Sequence, residues 1–315
     1  MNIRKFIAVL TLFLFAVPVL NAQDKAGKNY NDMISSYNGG NKKIALDIAL
    51  SYKYGWNEAP QNPAKAIEWL DKAFDADIYR AATMAGSMYR TADGVKVDFA
   101  KAEKYYRKAA AKGNEDAMIR LGQMYYYGNG VKESYESAKK WYYEAAKKYT
   151  SSKNKCSLAC VYYADMNFYS SPTEPNFKSD YDEALKWYEK AYNSGYMEAS
   201  TKLAIIYSWK EKKQDIAKGE SYLISAAQKG YYPAMQELVD IYLNNKYGLG
   251  NPSKAYAWAS LVNAREDLLI DATGIMKKAE DQMSAAELEK AKKTSAALIR
   301  KLGKTIYPDH LKDID

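Results

Sequence analysis

Few side chains of this 315-residue chain are able to do covalent or metal chemistry: it has two cysteines, Cys156 and Cys160, and one histidine, His310. A metal site wants three or four ligands at close spacing, and this inventory supplies none. Cys156 and Cys160 stand four apart on a helical stretch, which puts them on one face. Within a regular helix their Cβ vectors are poorly aimed for a disulfide, so the pair reads as two small, half-buried thiols. No Ser-His-Asp set can be assembled around His310 in the C-terminal tail. Ser152 and Lys155 have an S-x-x-K spacing, but the companion motifs of a β-lactam-reactive serine are missing. Carboxylates recur beside lysines at i,i+4, where they stabilise helices without any catalytic role. The sequence therefore predicts no catalysis, no cofactor and no metal.

What does recur is a pattern of small and aromatic residues. "AATMAGSMYRTADGVKVDFAKAEKYYRKAAAKG" from Ala81 lies on "AMIRLGQMYYYGNGVKESYESAKKWYYEAAKK" from Ala117 at a shift of 36 residues, matching Gly86 with Gly122, Tyr89 with Tyr125, Gly94 with Gly130 and Ala102 with Ala138. A fixed period of this length marks a solenoid, in which each unit buries its apolar face only against its neighbours. The frame extends to six units over residues 44–264, with Tyr52, Tyr162, Tyr207 and Tyr242 read as the rings that close the first half of their units. Each half has apolar and small residues three to four apart, which predicts a helix with one buried stripe. Between the halves, G-x-G-V supplies glycine where the chain reverses. The fourth unit carries "NFYSSPTEPNFKSDYD" in place of that turn, read as a neutral insertion in preference to a contact arm.

The pattern A-x-x-x-L-G-x-x-Y-x-x-G-x-G-V followed by K-A-x-x-W-Y-x-K-A-A-x-x-G resembles the Sel1-like repeat, a relative of the tetratricopeptide repeat. The resemblance implies an all-α fold, a right-handed α-solenoid superhelix of antiparallel helix pairs, that holds partner proteins or peptides without catalysis. Some relatives are described as penicillin-binding, but they carry a cysteine pair in each repeat, which is absent here. If the family geometry holds, the first helices line the concave side. Counting from each opening alanine then gives Arg90, Gln123, Tyr126, Tyr127, Tyr163 and Trp209 as partner-binding residues, of the aromatic and arginine types that dominate binding hot spots.

The ends of the chain complete the domain plan. Residues 1–22 combine Arg4 and Lys5 with an apolar run over 6–20 and Ala22, the layout of a cleavable signal peptide. That run is short for a membrane span, which needs about 20 residues. The chain is therefore expected to be exported, periplasmic or secreted, with no membrane span once the signal is removed and a net charge of about +6. Its basic residues are interspersed with acids along nearly every helix, unlike a nucleic-acid-binding patch. Residues 23–43 read as a flexible lead-in. Within 265–315, Ser284 and Glu287 form a capping box that starts a helix running to Gly303 and capping the stack. The expected function is an exported scaffold for a protein or peptide of the cell envelope. The alternatives are a binder of glycan or cell-wall fragments and, least favoured, a penicillin-binding or β-lactamase-like enzyme.

Overall fold

The computed structural model describes residues 29–152, 158–171, 174, 177–208, 215–265, 268 and 270–302. Among these the regular structure is helical, with fifteen α-helices and two short 3-10 turns. In chain order the first are α1 (Tyr30–Asn38), α2 (Ala45–Tyr54), α3 (Pro63–Asp75), α4 (Arg80–Thr91), α5 (Phe99–Ala111) and α6 (Glu115–Tyr127). There follow α7 (Tyr135–Ser152), α8 (Leu158–Phe168), α9 (Tyr181–Asn193), α10 (Ala199–Ser208) and α11 (Ile216–Gln228). The last are α12 (Tyr232–Leu243), α13 (Pro252–Asn263), α14 (Thr273–Glu280) and α15 (Ala285–Leu302). The chain divides into two compact units, one ending at Trp141 and the other starting at Tyr142.

Every helix pair from α2/α3 to α12/α13 is closed by the same tie. The backbone N–H of the residue capping the second helix donates to a carbonyl in the last turn of the first helix. The pairs are Asn62 to Tyr52 (2.7 Å), Asp98 to Tyr89 (3.0 Å), Ser134 to Tyr125 (2.9 Å), Asp180 to Asn167 (2.7 Å), Asp215 to Tyr207 (3.0 Å) and Asn251 to Tyr242 (2.9 Å). The capping side chain meanwhile accepts from the N–H three residues on, as Asn62 does from Lys65 (3.0 Å), Asp98 from Lys101 (2.9 Å), Asp215 from Lys218 (2.9 Å) and Asn251 from Lys254 (3.0 Å). Such a cap contributes about 1 kcal/mol. In those four pairs the same lysine lays its ammonium over the tied tyrosine ring, 5.4, 5.0, 4.5 and 4.8 Å from the centroid, a favourable cation–π geometry.

The tie sets the register. In α8 the tied carbonyl belongs to Asn167, so Asn167 and not Tyr162 occupies the place of Tyr125, and Ala159 is the opening alanine. Asn167 and Phe168, expected at the start of the inserted loop, are the last residues of α8. With that register, Ala81, Ala117, Ala159, Ala199 and Ala234 open successive first helices, and each is fully buried. Ala66, Ala102, Ala138, Ala184 and Ala255 do the same in the second helices. Gly219 takes this place in α11, where a Cβ would stand 3.2 Å from the Ala204 backbone. The second glycine of the turn is needed twice over: Gly94 and Gly130 have φ of +73° and +75°, and a Cβ on either would overlap Pro63 or Phe99, the first residue of the preceding unit's second helix.

The flanks differ in part from expectation. Within the lead-in, Tyr30–Asn38 is a helix with an Asn29 cap. Tyr30 meets Tyr52 edge-on at 5.7 Å and Tyr37 meets Trp69 at 4.8 Å, so aromatic contacts order a segment whose composition suggested freedom. At the other end Ser284 N–H donates to Glu287 (2.8 Å) and Glu287 N–H to Ser284 Oγ (3.4 Å), the reciprocal bonds of a capping box. Helix α15 packs on α13 with Ala291, Ser295 and Leu302 buried. Residues 1–28 and 303–315, which include the signal-peptide segment and His310, lie outside the described residues.

The packing yields a first test. A Cβ at Gly86 would stand 2.8 Å from the fully buried Tyr106 ring, so Gly86→Leu is expected to cost about 1–3 kcal/mol of stability by overpacking. Urea denaturation of the variant, read by circular dichroism, checks this, and an unshifted midpoint would refute it.

Candidate functional site

Side chains with intrinsic reactivity do not converge. Among the described residues no group of three or more His, Cys, Asp or Glu is placed to hold a metal ion. Lys155 and His310 lie outside the described residues. Cys160 is fully buried and disulfide-bonded, against the expectation of a thiol there. That expectation assumed both cysteines on one regular helix; Cys156 lies outside the described residues.

The first helices bring together four of the six residues expected to bind a partner. Helices α4 and α6 pack on one another. By register Arg90 in the last turn of α4 is the equivalent of Tyr126 in α6. Tyr126 is half-buried, edge-on to Tyr127 at 4.9 Å and 5.0 Å from Tyr135, so part of its surface is spent on packing. Tyr127 is 39% exposed. Gln123, one turn earlier, accepts a hydrogen bond from Arg120 Nη1 (3.3 Å), whose Nε faces Asp116 at 3.3 Å. Tyr163 is placed elsewhere: it is 9% exposed, between Tyr143 at 5.0 Å and Trp187 at 5.2 Å. The corrected register explains this, because Tyr163 takes the place of the core residue Leu121. Trp209 lies outside the described residues.

The same register reveals positions that counting along the sequence missed. Six and ten residues after Ala159 stand Asp165 and Tyr169, the equivalents of Gln123 and Tyr127. Asp165 accepts a hydrogen bond from the buried Tyr188 hydroxyl, and Lys202 donates to Tyr169. In the second unit the place of Asp165 belongs to Ser87, 3.1 Å from the Tyr106 hydroxyl. Asp180, as the cap equivalent to Asp98, was the sequence signal that would have found them.

The model of the Sel1 repeat matches residues 45–77, 80–114, 115–149, 157–196 and 198–231, each one of the helix pairs from α2/α3 to α10/α11. The chain belongs to the Sel1 repeat family. Comparison with curated proteins gives no match. Among solved structures it is similar to a Sel1 repeat protein from Oxalobacter formigenes, with a TM-score of 0.53 and 24% identity over 75% of this chain and 99% of that one. It is also similar to c5321, a protective antigen of uropathogenic Escherichia coli displaying an SLR fold (TM-score 0.32, 17% identity, 92% and 98% covered). A third is a Sel1 repeat protein from Klebsiella pneumoniae subsp. pneumoniae (TM-score 0.38, 15% identity, 67% and 97% covered). The first of these shares the fold of Sel1 repeats, and α12/α13, beyond the matched residues, has the same tie as the five matched pairs.

Successive Sel1 repeats are stitched by carboxylates that accept tyrosine hydroxyls. Asp71 accepts from Tyr105 (2.8 Å) and pairs with Lys108 (3.3 Å). Glu103 accepts from Tyr125 (3.3 Å) and pairs with Arg107 (2.8 Å). Glu220 accepts from Tyr242 and pairs with Lys254 (3.0 Å). The densest is Glu189, which receives Tyr207 (2.6 Å), Tyr222 (3.0 Å) and Lys218 (3.0 Å). Burial works to raise the Glu189 pKa, but these three donors together outweigh it and hold the carboxyl below its ordinary value. Burial and the Glu189 charge push the Tyr222 hydroxyl up to about 12.

Asp165 and Glu198 are shifted the other way. Burial raises Asp165, against the opposing pull of Lys202 and Tyr188. Burial also raises Glu198, opposed by a backbone hydrogen bond and reinforced by the charge of Asp165. A raised carboxyl penalises the folded state while ionised, so the penalty is relieved as pH falls through the raised values. The lowered Glu189 contributes stability that is lost as pH falls further, below about 4. Amide protection factors of the described residues in 158–208, which are exchange rates corrected for the intrinsic pH dependence, are therefore expected to rise from neutral to mildly acidic pH and then fall. Asp165→Asn with Glu198→Gln should flatten the first change, and Glu189→Gln the second. Unaltered profiles in those variants would contradict the assignment.

Proposed function

We propose that this Sel1 repeat protein is an exported scaffold of the cell envelope. It docks a protein or peptide on the face of its first helices and does no catalysis of its own. The observation that carries the docking face is the placement of Arg90, Tyr126 and Tyr127 on the packed helices α4 and α6, with Tyr127 exposed. Large aromatic and arginine side chains supply most of the energy at protein interfaces. Export rests on the sequence of residues 1–22, and a mature chain beginning at Gln23 follows from it. Glycan binding by the same tyrosines is the competing use of this face.

The test combines two measurements. Mass spectrometry of the protein recovered from its native host is expected to show Gln23 as the first residue; an intact Met1 would refute cleavage. The mature chain is expected to capture an envelope protein, and Tyr127→Ala to weaken capture by about tenfold, or 1.4 kcal/mol, with no change in melting temperature. Undiminished capture by the variant, or retention on peptidoglycan in place of protein, would overturn the docking of a protein on this face.

A further inference from the structure

Arg90 is charged, half-buried and without a partner. Its Nε is buried and unsatisfied, and no hydrogen bond or ion pair reaches its guanidinium. Three other arginines among the described residues are engaged: Arg107 with Glu103 and Tyr125, Arg120 with Asp116 and Gln123, Arg265 with the Gly230 carbonyl. Helix α4, with the sequence RAATMAGSMYRT, carries two arginines and no carboxylate to neutralise them. A buried donor without an acceptor is costly to keep.

The repeat shows what this place holds elsewhere. In its place the third and fourth repeats have Tyr126 and Phe168, which lie on the first residue of the following helix, Tyr135 at 5.0 Å and Tyr181 at 6.0 Å. In the second repeat that first residue is Phe99. A guanidinium in a position built for a ring keeps its Nε edge covered, while the terminal nitrogens, which are not among the buried unsatisfied atoms, face outward. A planar fork held in this way matches a carboxylate, with two parallel N–H bonds. A phosphate-binding surface would draw on several cations together, whereas the packed helix α6 offers Gln123, Tyr126 and Tyr127 in its last two turns, and its one arginine, Arg120, is already engaged by Asp116 and Gln123.

From this we infer that the α4–α6 face docks an acidic, extended segment of a partner protein, one carboxylate of which sits on the Arg90 guanidinium while an apolar side chain beside it packs on Tyr126 and Tyr127. The inference rests on the first-helix face being the docking surface and adds the chemistry of the partner.

The experiment uses the mature chain and a fluorescent peptide of alternating Glu and Leu, with its Gln and Leu counterpart. Binding is followed by anisotropy and located by amide exchange. The acidic peptide is expected to protect Arg80–Thr91 and Glu115–Tyr127. Arg90→Gln should weaken it at least about tenfold, and Arg90→Lys, which keeps the charge and loses the fork, should lie between. Lys104→Gln, an exposed cation on α5, should leave binding unchanged. Equal affinity for the two peptides, or an equal loss with Lys104→Gln, would overturn the acidic partner even if α4 and α6 are protected. Protection confined to other helices would overturn the docking face as well.

Discussion

The structure depends on one backbone hydrogen bond made six times: a helix-capping residue donates its N–H to a carbonyl in the last turn of the preceding helix. Both groups are orphans of helix ends and need partners. By satisfying each other they fix where the second helix starts relative to the first, to within one residue. The cap side chain, the lysine three residues on and the tyrosine under that lysine then fall into place together, as in Asp98, Lys101 and Tyr89. Small residues do the rest. Ala81 and Ala102 let two helices approach, and Gly94 lets the turn lie on Pro63.

Polar groups between repeats follow from the same crowding. Alanine-rich helices leave little apolar surface, so tyrosines fill the space, and a buried tyrosine hydroxyl needs a partner. A carboxylate on the neighbouring second helix supplies it, as Asp71, Glu103, Glu189 and Glu220 do. Where a first-helix side chain supplies it instead, the choice of residue matters: Ser87 serves Tyr106 without a charge, whereas Asp165 serves Tyr188 with one. Arg90 is the opposite departure, a charge in a place where the neighbouring repeats hold rings.

Much of the fold was legible in the sequence, because the letters that repeat are those with no steric alternative. Gly86, Ala102 and Gly130 are each crowded by a named neighbour, and their spacing alone gave the helix pairs. The capping box at Ser284 was legible for a local reason, since its bonds span three residues. The fourth repeat was misread because Tyr162 imitates the ring expected there, and the tie that assigns the place to Asn167 is a backbone bond that no side chain announces. Residues 30–38 were misread because aromatic contacts with Tyr52 and Trp69 are far away in sequence.

Of the residues expected to bind a partner, Arg90, Gln123, Tyr126 and Tyr127 could be named from spacing, but not what each touches. The sequence by itself determined the helical repeat, its period and the kinds of residue at each turn, since helix formation and backbone crowding are governed by neighbours three or four positions apart. Only the tertiary structure decided that Tyr163 is core, that Asp165 stands where Gln123 does, and that Arg90 is left unpaired. Those are outcomes of contacts between helices, where one backbone hydrogen bond sets the register and a shift of a few residues exchanges a buried face for an open one.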